Sequence, residues 1–261
     1  YHLDKDTNLR AAVTRTFARP DFGDIAPGYG PTSNITSMTV TGDAFSNYMD
    51  FGGANFDLTV EGLGRDDEII GGFGDDYLSS GDGSDAISGG SGADSIFGGA
   101  GQDYLFGGEG ADQITGGMDA DTVIFDAVSE SAATVAATTV AGFDTITDFG
   151  ATDTIYLGLV NSALTGGAAA SVITLTQLAL TDTTIADFSE LAAAILADGG
   201  LDASSDAGLQ AYLVDLTGNT GALGTGSYLL VNDNDTTMDG GDLMVTFTSP
   251  PQDLDAQSFT F

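Results

Sequence analysis

"GGSGADSIFGGAGQDYLFGGEGADQITGG", residues 89 to 117, states one pattern three times. Asp94, Asp103 and Asp112 recur every nine residues, each preceded by glycines and followed two positions later by an aliphatic residue. Extended in both directions, the pattern gives seven nonamers without insertion from Gly62 to Ile124: GLGRDDEII, GGFGDDYLS, SGDGSDAIS, GGSGADSIF, GGAGQDYLF, GGEGADQIT and GGMDADTVI. The sixth position is always aspartate: Asp67, Asp76, Asp85, Asp94, Asp103, Asp112 and Asp121. The eighth is always aliphatic: Ile69, Leu78, Ile87, Ile96, Leu105, Ile114 and Val123. A helix cannot use this period, because nine residues make two and a half turns and each internal glycine costs about 1 kcal/mol. A glycine turn followed by a short strand fits a parallel β-roll, with two nonamers to each turn of the spiral and the lone aliphatic residue facing inward.

That geometry gives the aspartates a physical meaning. Nonamers n and n+2 stack at about 4.8 Å, which sets Asp85 over Asp103 and Asp94 over Asp112. Two carboxylates about 5 Å apart repel by roughly 3 kcal/mol at an effective dielectric near 20, so a column of them needs a cation between turns. Only oxygen ligands are on offer: the chain has no cysteine, and its one histidine, His2, lies far outside the repeats. This donor set selects a hard cation, and calcium, with six to eight oxygens in loose geometry, suits glycine loops better than magnesium does. The fourth-position residues Gly74, Gly83, Gly92, Gly101 and Gly110 are expected to adopt φ > 0 and aim carbonyls at the ion, with Asp119 in the equivalent place of the last repeat. Seven loops stacked n on n+2 predict about five inter-turn calcium ions.

Composition agrees with a cation-dependent fold. The chain of 261 residues carries 39 acidic and five basic residues, a formal net charge of −34. Lys5, Arg10, Arg15 and Arg19 hold four of the five cations, leaving Arg65 as the only one beyond residue 20. Such a surface repels nucleic acid and anionic membranes and attracts cations. A hydrophobic content of 42% argues for a folded chain rather than a disordered acidic tail. No apolar run is long enough to span a bilayer as a helix. The sequence opens on Tyr1, not an initiator methionine, and any leader or upstream domain is expected to have been removed.

The motif GGxGxDxUx, best preserved as GGFGDDYLS, GGSGADSIF, GGAGQDYLF and GGEGADQIT, resembles the RTX (repeats-in-toxin) nonapeptide of secreted bacterial proteins. The resemblance covers about a quarter of the chain. It implies a calcium-binding parallel β-roll, ligation by each sixth-position aspartate, and type I secretion read from the C-terminal end. Two repeats depart from the motif. Asp119 replaces a loop glycine in the last, and Arg65 sits in the loop of the first, so these terminal sites are expected to be weak or unfilled. "GANFDLTVE", residues 53 to 61, keeps only Val60 in phase and reads as a cap-like turn without an ion.

The rest of the chain divides by texture: residues 1–32 are an extended arm or fusion remnant, 33–61 N-terminal cap strands, 62–125 the roll, and 126–261 a capping, secretion or assembly domain. The fold class expected is all-β, a parallel β-roll followed by a β-rich cap with one or two short helices. "FDTITDFGATDTIYLG", residues 143 to 158, resembles the segment that follows RTX repeats and caps the open sheet edge. "TTIADFSELAAAILADGG" predicts a helix, with Thr184 at the N-cap, Asp187 at the third position, Phe188, Leu191 and Ile195 on one face, and Gly199 as the stop. "SSDAGLQAYLVDLTG" is expected to form a second helix. "SYLLVNDNDTTMDGGDLMVTFT" alternates like a hairpin, and with "DAQSFTF" resembles the bluetail domain of cyanobacterial surface proteins. Its turn residues Asn232, Asp233, Asn234, Asp235 and Asp239 offer either one more calcium site or a solvated turn. "NLRAAVTRTFARPDFGDIAPGY", residues 8 to 29, resembles a barrel-strand segment of TonB-dependent receptors; one strand makes no barrel, and an arm pairing with another chain or a fusion remnant fits as well.

Catalysis and phosphate binding find little support. With His2 alone there is no base for HExxH zinc chemistry or a Ser-His-Asp triad in the roll. Phosphate-cradling glycine loops use helix N-termini and cations, whereas these loops carry carboxylates. A glycosidase dyad and a metal-free solenoid are the remaining rivals. The reading is therefore a non-enzymatic, calcium-folded structural protein outside a Gram-negative cell, self-associating into a surface layer or filament. The alternative is a C-terminal secretion and stability module of an exoenzyme or adhesin with its active domain upstream.

Overall fold

The computed structural model describes residues 2–3, 10–12, 36–126, 143–157, 173–180, 184–185, 188–197, 209–216, 219–220, 223, 225–232, 243–251 and 253–261. The chain adopts the all-β class and parallel β-roll that the nonamers predict. Successive short strands alternate between two sheets. Sheet A contains β4 (Tyr48–Asp50), β6 (Glu68–Gly72), β8 (Ala86–Ser91), β10 (Tyr104–Glu109), β12 (Thr122–Ile124) and β14 (Thr154–Tyr156). Sheet B contains β3 (Ser37–Thr41), β5 (Asp57–Gly64), β7 (Tyr77–Asp82), β9 (Ser95–Ala100), β11 (Gln113–Met118) and β13 (Asp144–Ile146). Neighbours within each set run parallel, as two-strand turns of one spiral require.

The inward aliphatic residues stack in strict register. Met49, Ile69, Ile87, Leu105, Val123 and Ile155 line sheet A, and Phe259 completes the row. Val40, Val60, Leu78, Ile96, Ile114 and Ile146 line sheet B, ending in Phe247. All are buried in a single apolar cluster. Each fully buried side chain contributes about 2 kcal/mol, so a roll with one such residue per nonamer is stable only as a stack.

The spiral extends beyond the seven nonamers on both sides. On the N-terminal side it runs through β5, β4 and β3; Leu58 and Val60 of "GANFDLTVE" are both buried, and Asp57–Glu61 of that segment lie in β5, stacked on β7 as a further strand of the spiral. Beyond it lie two antiparallel strands, β1 (His2–Leu3) on β4 and β2 (Arg10–Ala12) on β3. These two pieces of the N-terminal region therefore pair with their own chain. The remainder of "NLRAAVTRTFARPDFGDIAPGY" lies outside the described residues. On the C-terminal side β13 and β14, from "FDTITDFGATDTIYLG", stack directly on β11 and β12.

Sheet B then leaves the roll as β18 (Leu243–Phe247), β17 (Ser227–Asn232), β16 (Leu209–Asp215) and β15 (Ile173–Ala179), while β19 (Phe259–Thr260) closes sheet A. β17 and β18 form the antiparallel hairpin expected of residues 227–248, whose acidic turn lies mostly outside the described residues. Leu191 and Ile195 of helix α1 (Phe188–Ala197) pack with Tyr212, Val214, Tyr228, Leu230 and Met244 in a second apolar cluster. The helix is described from Phe188 onward, and the expected third-position Asp187 lies outside the described residues. Just before it, Ile185 is buried and its carbonyl accepts from Asn219 Nδ2 at 2.9 Å. The second expected helix is a correction: Leu209–Asp215 is strand β16, paired on one side with β15 and on the other with β17. Its Ala211, Tyr212 and Val214 are buried between two clusters, a two-sided burial that a sheet provides and a surface helix does not.

Candidate metal centre

The sixth-position aspartates form two columns inside the loops of the roll. On the sheet A side, Asp67, Asp85, Asp103 and Asp121 stand one above another; on the sheet B side, Asp76, Asp94 and Asp112 do the same. All seven are buried, with 1–3% of their surface exposed. One rule links each column. The backbone N–H of each aspartate donates to Oδ1 of the aspartate two repeats on: Asp67 to Asp85 at 2.7 Å, Asp85 to Asp103 at 2.9 Å, Asp76 to Asp94 at 2.8 Å and Asp94 to Asp112 at 2.8 Å.

Those bonds occupy Oδ1; at Asp76 Oδ2 also accepts, from the N–H of Gly72 at 3.0 Å. The Oδ2 atoms of Asp67, Asp85, Asp94, Asp103, Asp112 and Asp121 are buried and have no hydrogen-bond partner among the described residues. An orphaned buried carboxylate oxygen is costly, and a stack of them more so. Burial is the main cause of a raised pKa throughout the columns, offset by the main-chain hydrogen bonds. Asp67, Asp76, Asp112 and Asp121 are pushed up to about 6 and Asp94 and Asp103 to about 7. Neighbouring column members add to the rise: Asp76 and Asp112 act on Asp94, and Asp85 and Asp121 on Asp103. Asp85 is raised as well.

The first residue of each repeat completes the setting. A Cβ placed on Gly62, Gly71, Gly89 or Gly98 would overlap Oδ2 of the same repeat's aspartate and the carbonyl oxygen of the first residue two repeats on, namely Ser80, Gly89, Gly107 and Gly116. Only glycine lets the carboxylate lie against main chain and carbonyl in this way. The donor set consists of oxygens alone, buried and short of positive partners, which fits a hard divalent cation. No group of three or more acidic or histidine side chains converges among the described residues, so a cation here draws on main-chain oxygens beside one or two carboxylates.

The fourth-position residues divide. Gly92, Gly101, Gly110 and Asp119 have φ of 130°, 127°, 147° and 77°. Gly74 and Gly83 do not adopt the left-handed conformation expected of them; they are small because a Cβ would strike the main chain of Phe56 and Asp57, and of Arg65, respectively. The first repeat holds two non-glycine residues at positive φ, Leu63 at 88° and Arg65 at 68°.

Four polar residues at the ends of the columns lay outside the nonamer pattern. Asp144 and Asp153 continue the columns by accepting from the N–H of Asp112 at 2.9 Å and of Asp121 at 3.1 Å. Their D-x-I spacing matches the repeats and could have signalled this. Asn47 occupies the sixth-position place before Asp67, to whose Oδ1 its N–H donates at 2.7 Å. Asp148 caps the N–H groups of Gly116 and Gly117 at 2.9 and 3.0 Å. In sheet B the carboxylate column is bounded by Leu58 before Asp76 and Val245 after Asp144.

The family model of the RTX calcium-binding nonapeptide repeat, in four copies, matches residues 59–87 and 88–123, the segment that carries both columns. The roll is built of RTX repeats. RTX repeats bind calcium, and the roll is a structural calcium-binding fold. The match ends at Val123 and does not reach the segment resembling the bluetail domain. No curated protein matches the chain. No helix among the described residues is long and apolar enough to cross a membrane.

Proposed function

We propose that this RTX chain is a secreted structural protein whose roll folds on calcium outside a Gram-negative cell and which then assembles with copies of itself at the cell surface or in an extracellular filament. The observation that carries the reading is the pair of columns in which six of the seven sixth-position aspartates, all but Asp76, bury an Oδ2 with no hydrogen-bond partner among the described residues. At low intracellular calcium the ionised columns oppose folding and leave a chain that can be threaded through a secretion channel. At millimolar calcium outside, ion binding and folding become one event. Asp67, Asp76, Asp85, Asp94, Asp103, Asp112 and Asp121 hold the ions together with loop carbonyls, in up to five inter-turn positions. Asp144 and Asp153 extend the same columns.

Assembly is supported by charge. Five calcium ions would cancel about ten of the 34 negative charges, and the rest remain available to bind divalent ions between neighbouring chains. The reading gives the chain no catalytic step. It is tested by following light scattering and electron micrographs of the intact chain as calcium rises from micromolar to millimolar, with magnesium as control. Ordered polymers that appear with calcium alone support an assembly subunit. A calcium-loaded chain that stays monomeric at high concentration would leave the secretion-module reading and contradict assembly.

A further inference from the structure

The inter-turn positions are not equivalent. Four of the five have a glycine where the aspartate Oδ2 meets the carbonyl two repeats on, at Gly62, Gly71, Gly89 and Gly98. The third repeat begins instead with Ser80, whose side chain is wholly buried. Its Oγ donates to the carbonyl of Gly98 at 2.8 Å. A serine hydroxyl has a single hydrogen and needs little room. The hydroxyl gives that hydrogen to the Gly98 carbonyl, which it thereby occupies, while Asp85 Oδ2 has no hydrogen-bond partner among the described residues. Ser80 also places a Cβ and an oxygen where the other four positions have only glycine beside the aspartate Oδ2.

We propose that Ser80 closes the Asp85–Gly98 position to calcium, so that the roll takes four inter-turn ions, with the closed position held by a hydroxyl staple between the third and fifth repeats. The inference rests on the calcium reading of the columns and adds that one rung is built to do without the metal. The staple lies mid-column, where Asp67 and Asp103 flank Asp85, and in the folded roll it couples two turns without an ion between them.

The test uses the intact chain and two variants, Ser80→Gly and Ser80→Ala, with bound calcium per chain measured by equilibrium dialysis and metal analysis. Ser80→Gly restores the residue found at the other four positions and is expected to bind one more calcium than the wild type. Ser80→Ala keeps the Cβ but loses the hydrogen bond, and is expected to bind the same number as the wild type while folding only at higher calcium. An unchanged count in Ser80→Gly, or the loss of one ion in Ser80→Ala, would overturn the assignment, the second result making the hydroxyl a ligand. A wild-type chain that binds no calcium would overturn the reading of the columns themselves, a failure distinct from an unchanged count in a calcium-loaded chain.

Discussion

In β10 the only buried residue with a side chain is Leu105, whereas in β18 all five residues from Leu243 to Phe247 are buried. The roll and the C-terminal extension thus reach stability by different routes. The extension has apolar residues on both faces: Leu243, Val245 and Phe247 join the roll's cluster, and Met244 joins the cluster under α1. Among the described residues every buried aspartate lies in the roll, between Asp67 and Asp153. An apolar core requires no counter-ion, while a stacked carboxylate core does. One sheet thus runs continuously from a region of stacked, buried carboxylates into one with no buried aspartate among its described residues.

Calcium removal should separate the two regions most strongly. After chelation at neutral pH, amides of residues 59–126 should lose hydrogen-exchange protection, while those of β16 and β17 should hold theirs longer. For a site saturated about 1,000-fold above its Kd, the loss is about 4 kcal/mol. Equal loss in both regions would erase the distinction.

Paired core truncations sharpen it. Leu105→Ala and Leu230→Ala each remove a fully buried side chain and should each cost about 2–5 kcal/mol in thermal unfolding of the calcium-loaded protein. Only Leu105→Ala should also raise the calcium concentration at which the roll folds. A similar shift for Leu230→Ala would mean that the extension, too, is coupled to the ion.

Acid should act on the roll alone. The column carboxyls have folded-state pKa values raised to about 6 or 7, above the ordinary carboxylate range near 4, so the native state binds more protons than the unfolded one in between. Calcium-free stability should therefore be greatest below about pH 4, fall as pH rises through about 4–7, and stay flat above. Calcium-free melting curves across this range would show the trend, and a Tm that rises with pH over the window would contradict it.

The smallest effect concerns strain in the first repeat. Leu63 sits at φ 88°, a conformation that disfavours a branched side chain, and Leu63→Gly should raise stability by about 0.5–1 kcal/mol. Asp119→Gly should gain less, because aspartate tolerates the left-handed region better.

Much of this was legible in the sequence, for a physical reason. The nonamer encodes its own register: a period of nine with one aspartate and one aliphatic residue leaves a single way to stack, so the strands from β6 to β12 and both columns follow from reading alone. Legibility stops where the period breaks. Asp144 stacks on Asp112 across 32 residues, and an insertion of that length leaves the register undetermined even though D-x-I is visible. Asn47 and Leu58 occupy aspartate positions without being aspartates, so only stacking identifies them. Leu209–Asp215 failed as a helix because its burial comes from strands distant in sequence, β15 and β17, which override a local pattern.

The central claim is that the carboxylate columns make the roll's folding depend on calcium, and far-UV circular dichroism of the calcium-free chain during a calcium titration tests it most directly. The account predicts β signal that appears cooperatively with calcium and not with the same concentration of magnesium. Full β signal at neutral pH before any calcium is added would contradict it.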